Sequence, residues 1–225
     1  MVARVGVYYA PPSRDALAVA GATWLGRDAD DNTPCPQPAL TDIAAVTADA
    51  RRYGFHATLK PPMRLLADRR WDDFLHAAEA MASRIAPFDL PVLAVAELHG
   101  FLALRETAPC PALLALADLC VAELDDLRAQ PDVAELARRR QSPLTATQDA
   151  LLARWGYPYV FGEWFFHMTL TRRLSAEERA YWRPAAEDFF ADALRVPPRV
   201  TEICLFTQAV PGQAFTIAAR IPLRG

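Results

Sequence analysis

One short pattern occurs twice in this chain and limits what it can become. Gly54-Phe55-His56-Ala57-Thr58-Leu59 and Phe165-Phe166-His167-Met168-Thr169-Leu170 each carry an aromatic residue, a histidine, a small or apolar residue, a threonine and a leucine. Aromatic and β-branched content favours a strand. Neighbours on a strand point to opposite faces, so His56 and Thr58 share one face while Phe55, Ala57 and Leu59 take the other. His167 and Thr169 separate from Phe166, Met168 and Leu170 in the same way. Each copy should therefore present an imidazole beside a hydroxyl, above a row of core anchors.

The segments that follow each copy repeat as well. After the first, Trp71 to Ile85 has apolar residues at helical spacing, and Leu90 to Leu98 with Phe101 to Arg105 flank His99-Gly100 as a hairpin. After the second, Ser175 and Glu178 mark a helix start that runs to about Leu194, and Val200 to Thr207 with Ala214 to Pro222 form a hairpin around Pro211-Gly212. Both halves read as His strand, helix, hairpin. Ahead of them, Arg4 to Tyr9 reads as a strand, Asp15 to Leu25 as a helix capped by Ser13, Asp28 to Pro38 as a loop, and Asp42 to Arg52 as a second short helix. The first His strand should end at Pro61-Pro62. Three helices, Pro111 to Ala129, Asp132 to Arg140 and Thr145 to Trp155, lie between the halves.

This pattern predicts an α+β fold. One domain spans residues 1–225, with two pseudo-symmetric lobes (roughly 54–106 and 165–222), each an antiparallel sheet with flanking helices, around a central cleft. A chain of 225 residues, 52% hydrophobic, can bury such a core. Its net charge of -3 supplies no global field to attract nucleic acid, so any polyanion must be held locally. No stretch reads as a membrane span. Cys35, Cys110, Cys120 and Cys204 are widely spaced without a CxxC pair, which suits reduced thiols and a cytoplasmic protein.

Two histidines on matching strands suit proton transfer, because an imidazole near neutral pH can be base or acid. Placed on either side of a phosphorus atom, the neutral one can take a proton from water or a hydroxyl while the protonated one gives a proton to the leaving oxygen. Thr58 and Thr169 can donate to the non-bridging oxygens, which gather charge in the transition state. Extending each face by two residues gives Lys60 and Thr171, so Lys60 is the cation expected to reach the phosphate. Arg172 and Arg173 are weaker candidates, and Glu163 is a weak one for orienting His167. Tyr53, Tyr157 and Tyr159 could stack on a base or sugar, with Tyr53 and Tyr159 assigned to substrate binding.

His76, on a helix, reads as a surface or boundary residue, and His99 as a turn residue. Arg138-Arg139-Arg140 reads as a solvated helix end that could also meet a phosphorylated ligand. Catalytic zinc usually takes three protein ligands, and no third donor sits at a convincing spacing, so neither a metal nor any other cofactor is expected.

The paired motifs His56-Ala57-Thr58-Leu59 and His167-Met168-Thr169-Leu170 resemble those of the 2H phosphoesterase superfamily, which includes RNA 2′,5′-ligase-like proteins and cyclic phosphodiesterases. The flanking residues Arg52-Tyr53-Gly54-Phe55 and Lys60-Pro61-Pro62, with Gly156-Tyr157-Pro158-Tyr159 ahead of the second copy, resemble an uncharacterised branch encoded beside phosphonate-utilisation genes. The resemblance implies a bilobal fold and metal-independent hydrolysis or formation of cyclic phosphodiesters, with His56 and His167 catalytic. The expected partner is a small phosphorylated substrate, a nucleotide or RNA end among them, with no membrane and no obligate protein partner. Cyclic phosphodiester hydrolysis is the leading reading. RNA end processing and non-catalytic binding of a phosphorylated metabolite or nucleotide are the alternatives.

Overall fold

A computed structural model describes residues 3–225. In chain order the elements are β1 (Arg4–Tyr9), α1 (Ala16–Leu25), α2 (Ile43–Val46), α3 (Ala48–Tyr53), β2 (Ala57–Met63), α4 (Trp71–Ala82), β3 (Phe88–Asp89), β4 (Leu93–Leu98) and β5 (Phe101–Glu106). There follow α5 (Pro111–Glu123), a 3₁₀ turn (Asp125–Leu127), α6 (Val133–Arg139), α7 (Ala146–Trp155) and a second 3₁₀ turn (Phe161–Glu163). The chain closes with β6 (Met168–Thr169), α8 (Ala176–Phe190), β7 (Arg199–Val200), β8 (Glu202–Gln208) and β9 (Thr216–Pro222).

The expected α+β class holds: antiparallel strands are flanked by helices. The strands assigned to two lobes pair into one seven-stranded sheet, in the order β4-β5-β6-β2-β1-β8-β9, while β3 and β7 form a separate two-stranded ribbon. Each half lends its hairpin to the other. β5 of the first half pairs with β6 of the second, and β8 of the second pairs with β1, the strand on the N-terminal side of the first half that also pairs with β2. The helices follow suit, α4 packing on β8 and β9 and α8 on β4 and β5.

Alternation along the His strands is visible in burial. Phe55, Ala57 and Leu59, like Phe166, Met168 and Leu170, are buried in one core with residues from α1, α4, α5 and α8. Gly21 on α1 gives Phe55 its seat, since a Cβ there would lie 2.0 Å from the ring.

Several local expectations need correction. Asp15 caps α1 in place of Ser13, its Oδ1 accepting from the Leu17 amide at 2.8 Å. The helix expected over Asp42 to Arg52 breaks into α2 and α3 at Thr47, whose hydroxyl donates to the Ile43 carbonyl at 2.7 Å, a side-chain bond that competes with the helical ladder. β2 runs through Pro61-Pro62 to Met63, because its β1 pairing shifts register there. On its other side β2 pairs with β6 only at Ala57, so the prolines' missing amides cost no ladder bond on that side. The second His strand shrinks to the two residues of β6. Pro111 to Ala129 ends as a helix at Glu123, and α8 stops at Phe190. Ser175 does cap α8, reciprocally with Glu178, and His99 and Gly100 form the β4–β5 turn with φ of 48° and 89°.

Candidate active site

The antiparallel register that sets Ala57 opposite Met168 carries a direct consequence. One residue either way, His56 lies opposite Thr169 and Thr58 opposite His167. Each histidine thus faces the other copy's threonine, and the two histidines stand on the diagonal, where cross-strand Cβ atoms are about 7–8 Å apart. Both pairs line one cleft of about 470 Å³, together with Arg4, Tyr8, Tyr53, Arg138, Arg139 and Tyr157.

The imidazoles are held alike. His56 Nδ1 lies 2.9 Å from the Gly54 carbonyl, and His167 Nδ1 lies 3.2 Å from the Phe165 carbonyl. A carbonyl only accepts, so Nδ1 carries the hydrogen in both rings and each neutral Nε2 keeps its lone pair. Thr58 Oγ1 sits 3.5 Å from His56 Nε2, at the outer limit of a hydrogen bond. Gly54, with φ of 83° and ψ of 179°, turns its carbonyl back under His56 in a conformation that disfavours other residues.

Their surroundings differ. The His56 ring lies 4.3 Å from the Tyr8 ring and near Tyr53 and Phe206. Burial pushes its pKa down to about 4, with the Gly54 carbonyl opposing and the charge on His167 adding to the fall. His167 sits beside Phe165 and Phe101, at 5.0 and 6.0 Å. Burial lowers its pKa too, against the pull of the Phe165 carbonyl, with Arg105 and His99 lowering it further. Both rings are therefore neutral near pH 7.

Two expected substrate contacts point elsewhere. Lys60 is 2% exposed and donates to the Val121 carbonyl at 3.0 Å and to Asp125 at 3.1 Å. The reason is a bulge: Tyr8 pairs with Thr58 but Val7 with Lys60, so the alternation slips and Lys60 joins Leu59 on the helix-covered side. Thr171 is 1% exposed, and its Oγ1 accepts from the Leu102 amide at 2.9 Å. Glu163 accepts from Gln148 at 2.7 Å rather than orienting His167, and Arg172 pairs with Glu178 at 2.7 Å.

Tyr53 lines the cleft, while Tyr159 lies in an adjoining aromatic pocket with His99, Phe101, Trp164, Phe165 and Arg173 that shares Thr58, Tyr157 and His167 with it. Trp164 ties the two copies together, its indole N–H donating to the Thr58 carbonyl at 2.8 Å. Sequence reasoning passed over Tyr8 and Arg4 and read Arg138 and Arg139 mainly as a solvated helix end. Only the β1–β2 pairing and the placement of the end of α6 beside the cleft bring them to the histidines.

Among the described residues, no group of three His, Cys, Asp or Glu side chains lies close enough to hold a metal ion, and no helix is long and apolar enough to cross a membrane.

Residues 58–216 match the model of a family described as a protein of unknown function, DUF1045. The chain belongs to the DUF1045 family. Two curated relatives are each named ribose 1,5-bisphosphate phosphokinase PhnN. That of Janthinobacterium sp. (strain Marseille) is 39% identical over 99% of this DUF1045 chain and 51% of its own length. That of Laribacter hongkongensis (strain HLHK9) is 36% identical over 95% and 50%. The chain thus spans about half the length of the curated relatives it matches. Among solved structures it is similar to E. coli LigT complexed with NADP+ (TM-score 0.47, 17% identity, 100% of this chain and 99% of that one). It is also similar to E. coli LigT complexed with 3′-AMP (0.48, 13%, 100% of both) and to a protein described as a phosphoesterase (0.45, 15%, 100% of both).

Proposed function

We propose that this DUF1045 chain is a metal-independent phosphodiesterase that opens a small cyclic phosphodiester. The observation that carries the reading is the pair of imidazoles, each with Nδ1 tied to the carbonyl two residues upstream and Nε2 left for the cleft, each across from the other copy's threonine. A binding site alone has no need of two matched proton-transfer groups.

His56, with the more suppressed charge, acts as the base: its Nε2 takes a proton from water as the water oxygen bonds to phosphorus. His167 acts as the acid: its protonated Nε2 delivers a proton to the ester oxygen as the P–O bond breaks, leaving a phosphomonoester and a free hydroxyl. The incoming anion restores the proton on His167 that burial otherwise removes. Thr58 and Thr169 donate to the non-bridging oxygens.

The names of the curated relatives favour an ester of phosphorylated ribose. We place their named kinase activity in the half that this chain does not span. A Gly-x-x-x-x-Gly-Lys-Ser/Thr phosphate loop needs a lysine, and the sole lysine here, Lys60, follows Thr58-Leu59 and is held by Asp125.

Purified protein assayed against 1,2-cyclic ribose phosphates, 2′,3′-cyclic nucleotides and 2′,5′-linked dinucleotides tests the reading. The cyclic esters should be opened in the presence of EDTA. Turnover that EDTA abolishes and zinc restores would replace this mechanism with a metal one, and turnover of the dinucleotide alone would favour RNA end processing.

A further inference from the structure

The two histidines and two threonines suffice for one phosphodiester, yet the cleft holds more cationic capacity than that group uses. Arg4, Arg138 and Arg139 line it, and among the described residues its lining includes no carboxylate. That is a concentrated positive field in a chain whose net charge is -3. Arg139 and Arg140 are engaged, with Glu135 at 3.6 Å and Asp149 at 2.7 Å, whereas Arg138 beside them has no carboxylate within ion-pair distance among the described residues. Among the described residues Arg4 donates only through its Nε, to the Gln208 side chain at 2.9 Å, and its guanidinium carbon lies 5.3 Å from the centre of the Phe215 ring.

A second observation comes from Tyr8. Its side chain is 0% exposed and its hydroxyl has no hydrogen-bond partner among the described residues. The ring backs onto His56 and lines the same cleft. The hydroxyl end is turned back along β1 over Gly6, where a Cβ would come within 3.1 Å of it, and it feels the charge of Arg4 and the neighbouring Tyr53 and Tyr157. Burial pushes its pKa well up, so the phenol stays a donor throughout the working range. A buried donor left unpaired costs on the order of 1–3 kcal/mol, and a ligand acceptor would recover it.

From these observations we infer that the cleft lining supplied by Arg4, Tyr8 and Arg138 is a subsite for a second phosphoryl group, so that the substrate is a phosphodiester bearing a separate phosphate. This rests on the phosphodiesterase reading for the chemistry but not for the binding. Phosphate oxygens would accept from the Tyr8 hydroxyl and from the arginines, whose planar forks match phosphate geometry. The aromatic pocket around Tyr159 lies on the His167 side, so the ring system of the ester and its extra phosphate would leave the reacting centre in different directions.

The test compares ligands that differ by that one phosphate. Adenosine 3′,5′-bisphosphate should bind the full chain at least about tenfold more tightly than adenosine 3′-monophosphate by titration calorimetry. Arg138→Ala, at an exposed position, should bring the two within about twofold. Tyr8→Phe, which keeps the ring, should remove part of the advantage. Equal or weaker binding of the bisphosphate, binding of neither, or an advantage untouched by Arg138→Ala would overturn the inference. In parallel, 2′,3′-cyclic AMP with and without a 5′-phosphate separates the two claims. Hydrolysis of both with no preference sinks the subsite and leaves the phosphodiesterase standing, while a binding advantage without any hydrolysis does the reverse.

Discussion

The two copies of the His-x-Thr-Leu pattern share their side chains but not a scaffold. The first follows a tight glycine turn into a seven-residue strand, and the second emerges from a 3₁₀ turn into a strand of two residues. What both keep is the hydrogen bond from Nδ1 to the carbonyl two residues back and the burial of the three alternate apolar residues. What both give up is the residue four places after the histidine. Lys60 and Thr171 each turn away from the cleft into a buried polar contact. The repeat therefore preserves the orientation of a ring, and the positions outside His-x-Thr are free to serve the fold.

The strongest way to break this equivalence is to remove one ring at a time. His56→Ala and His167→Ala should each lower kcat by roughly 10²- to 10⁴-fold, the range for one general acid or base. Because the rings act as a pair, the double variant should fall well short of the product of the two losses. A single variant that retained the parent turnover would end the paired role.

The +4 positions sharpen the comparison next. Asp125 accepts from Lys60 at 3.1 Å, from Arg128 at 2.7 and 3.0 Å and from Arg154 at 3.4 Å. Burial raises its pKa, but Arg128 and Lys60 outweigh it and hold the carboxyl below the usual range. A depressed carboxyl contributes stability above the unfolded pKa of about 3.9 and loses it as pH falls through the folded value. Asp125→Asn, which strands two buried cations, should cost about 3–5 kcal/mol in urea unfolding and flatten the acid limb of stability. Thr171→Val leaves the buried Leu102 amide without its acceptor and should cost about 1–3 kcal/mol while KM stays within twofold. A rise in KM without loss of stability would return Thr171 to the substrate.

The smallest effect is a shift in pH optimum. The base must be deprotonated and the acid protonated, so kcat/KM should be bell-shaped. With both histidines below 6.5 in the free protein, its maximum should fall on the acid side of 6.5. A flat profile across neutral pH, with chemistry rate-limiting, would break the pairing. Tyr53→Phe should leave that maximum in place.

Much of this was legible from residue spacing. The His and Thr faces, the Ser175–Glu178 cap and the His99-Gly100 turn are local signals, written in alternation and turn chemistry. The burial of Lys60 is not legible, because period two says nothing about a bulge, and Pro61-Pro62 reads as a strand end because no local signal shows that β6 stops short of them. Tyr8, Arg4 and Arg138 lie 48, 52 and 82 positions from His56. No local pattern announces them, since only long-range pairing brings them to the ring.

The exchange of hairpins between halves has its own consequence. A break in the chain between residues 107 and 164 would leave the first piece with β1 to β5 and the second with β6 to β9, each holding half of every pairing that joins the copies. Neither piece has a histidine facing a threonine from the opposite copy, so the proposed reactive centre is a seam that exists only while the two copies stay paired.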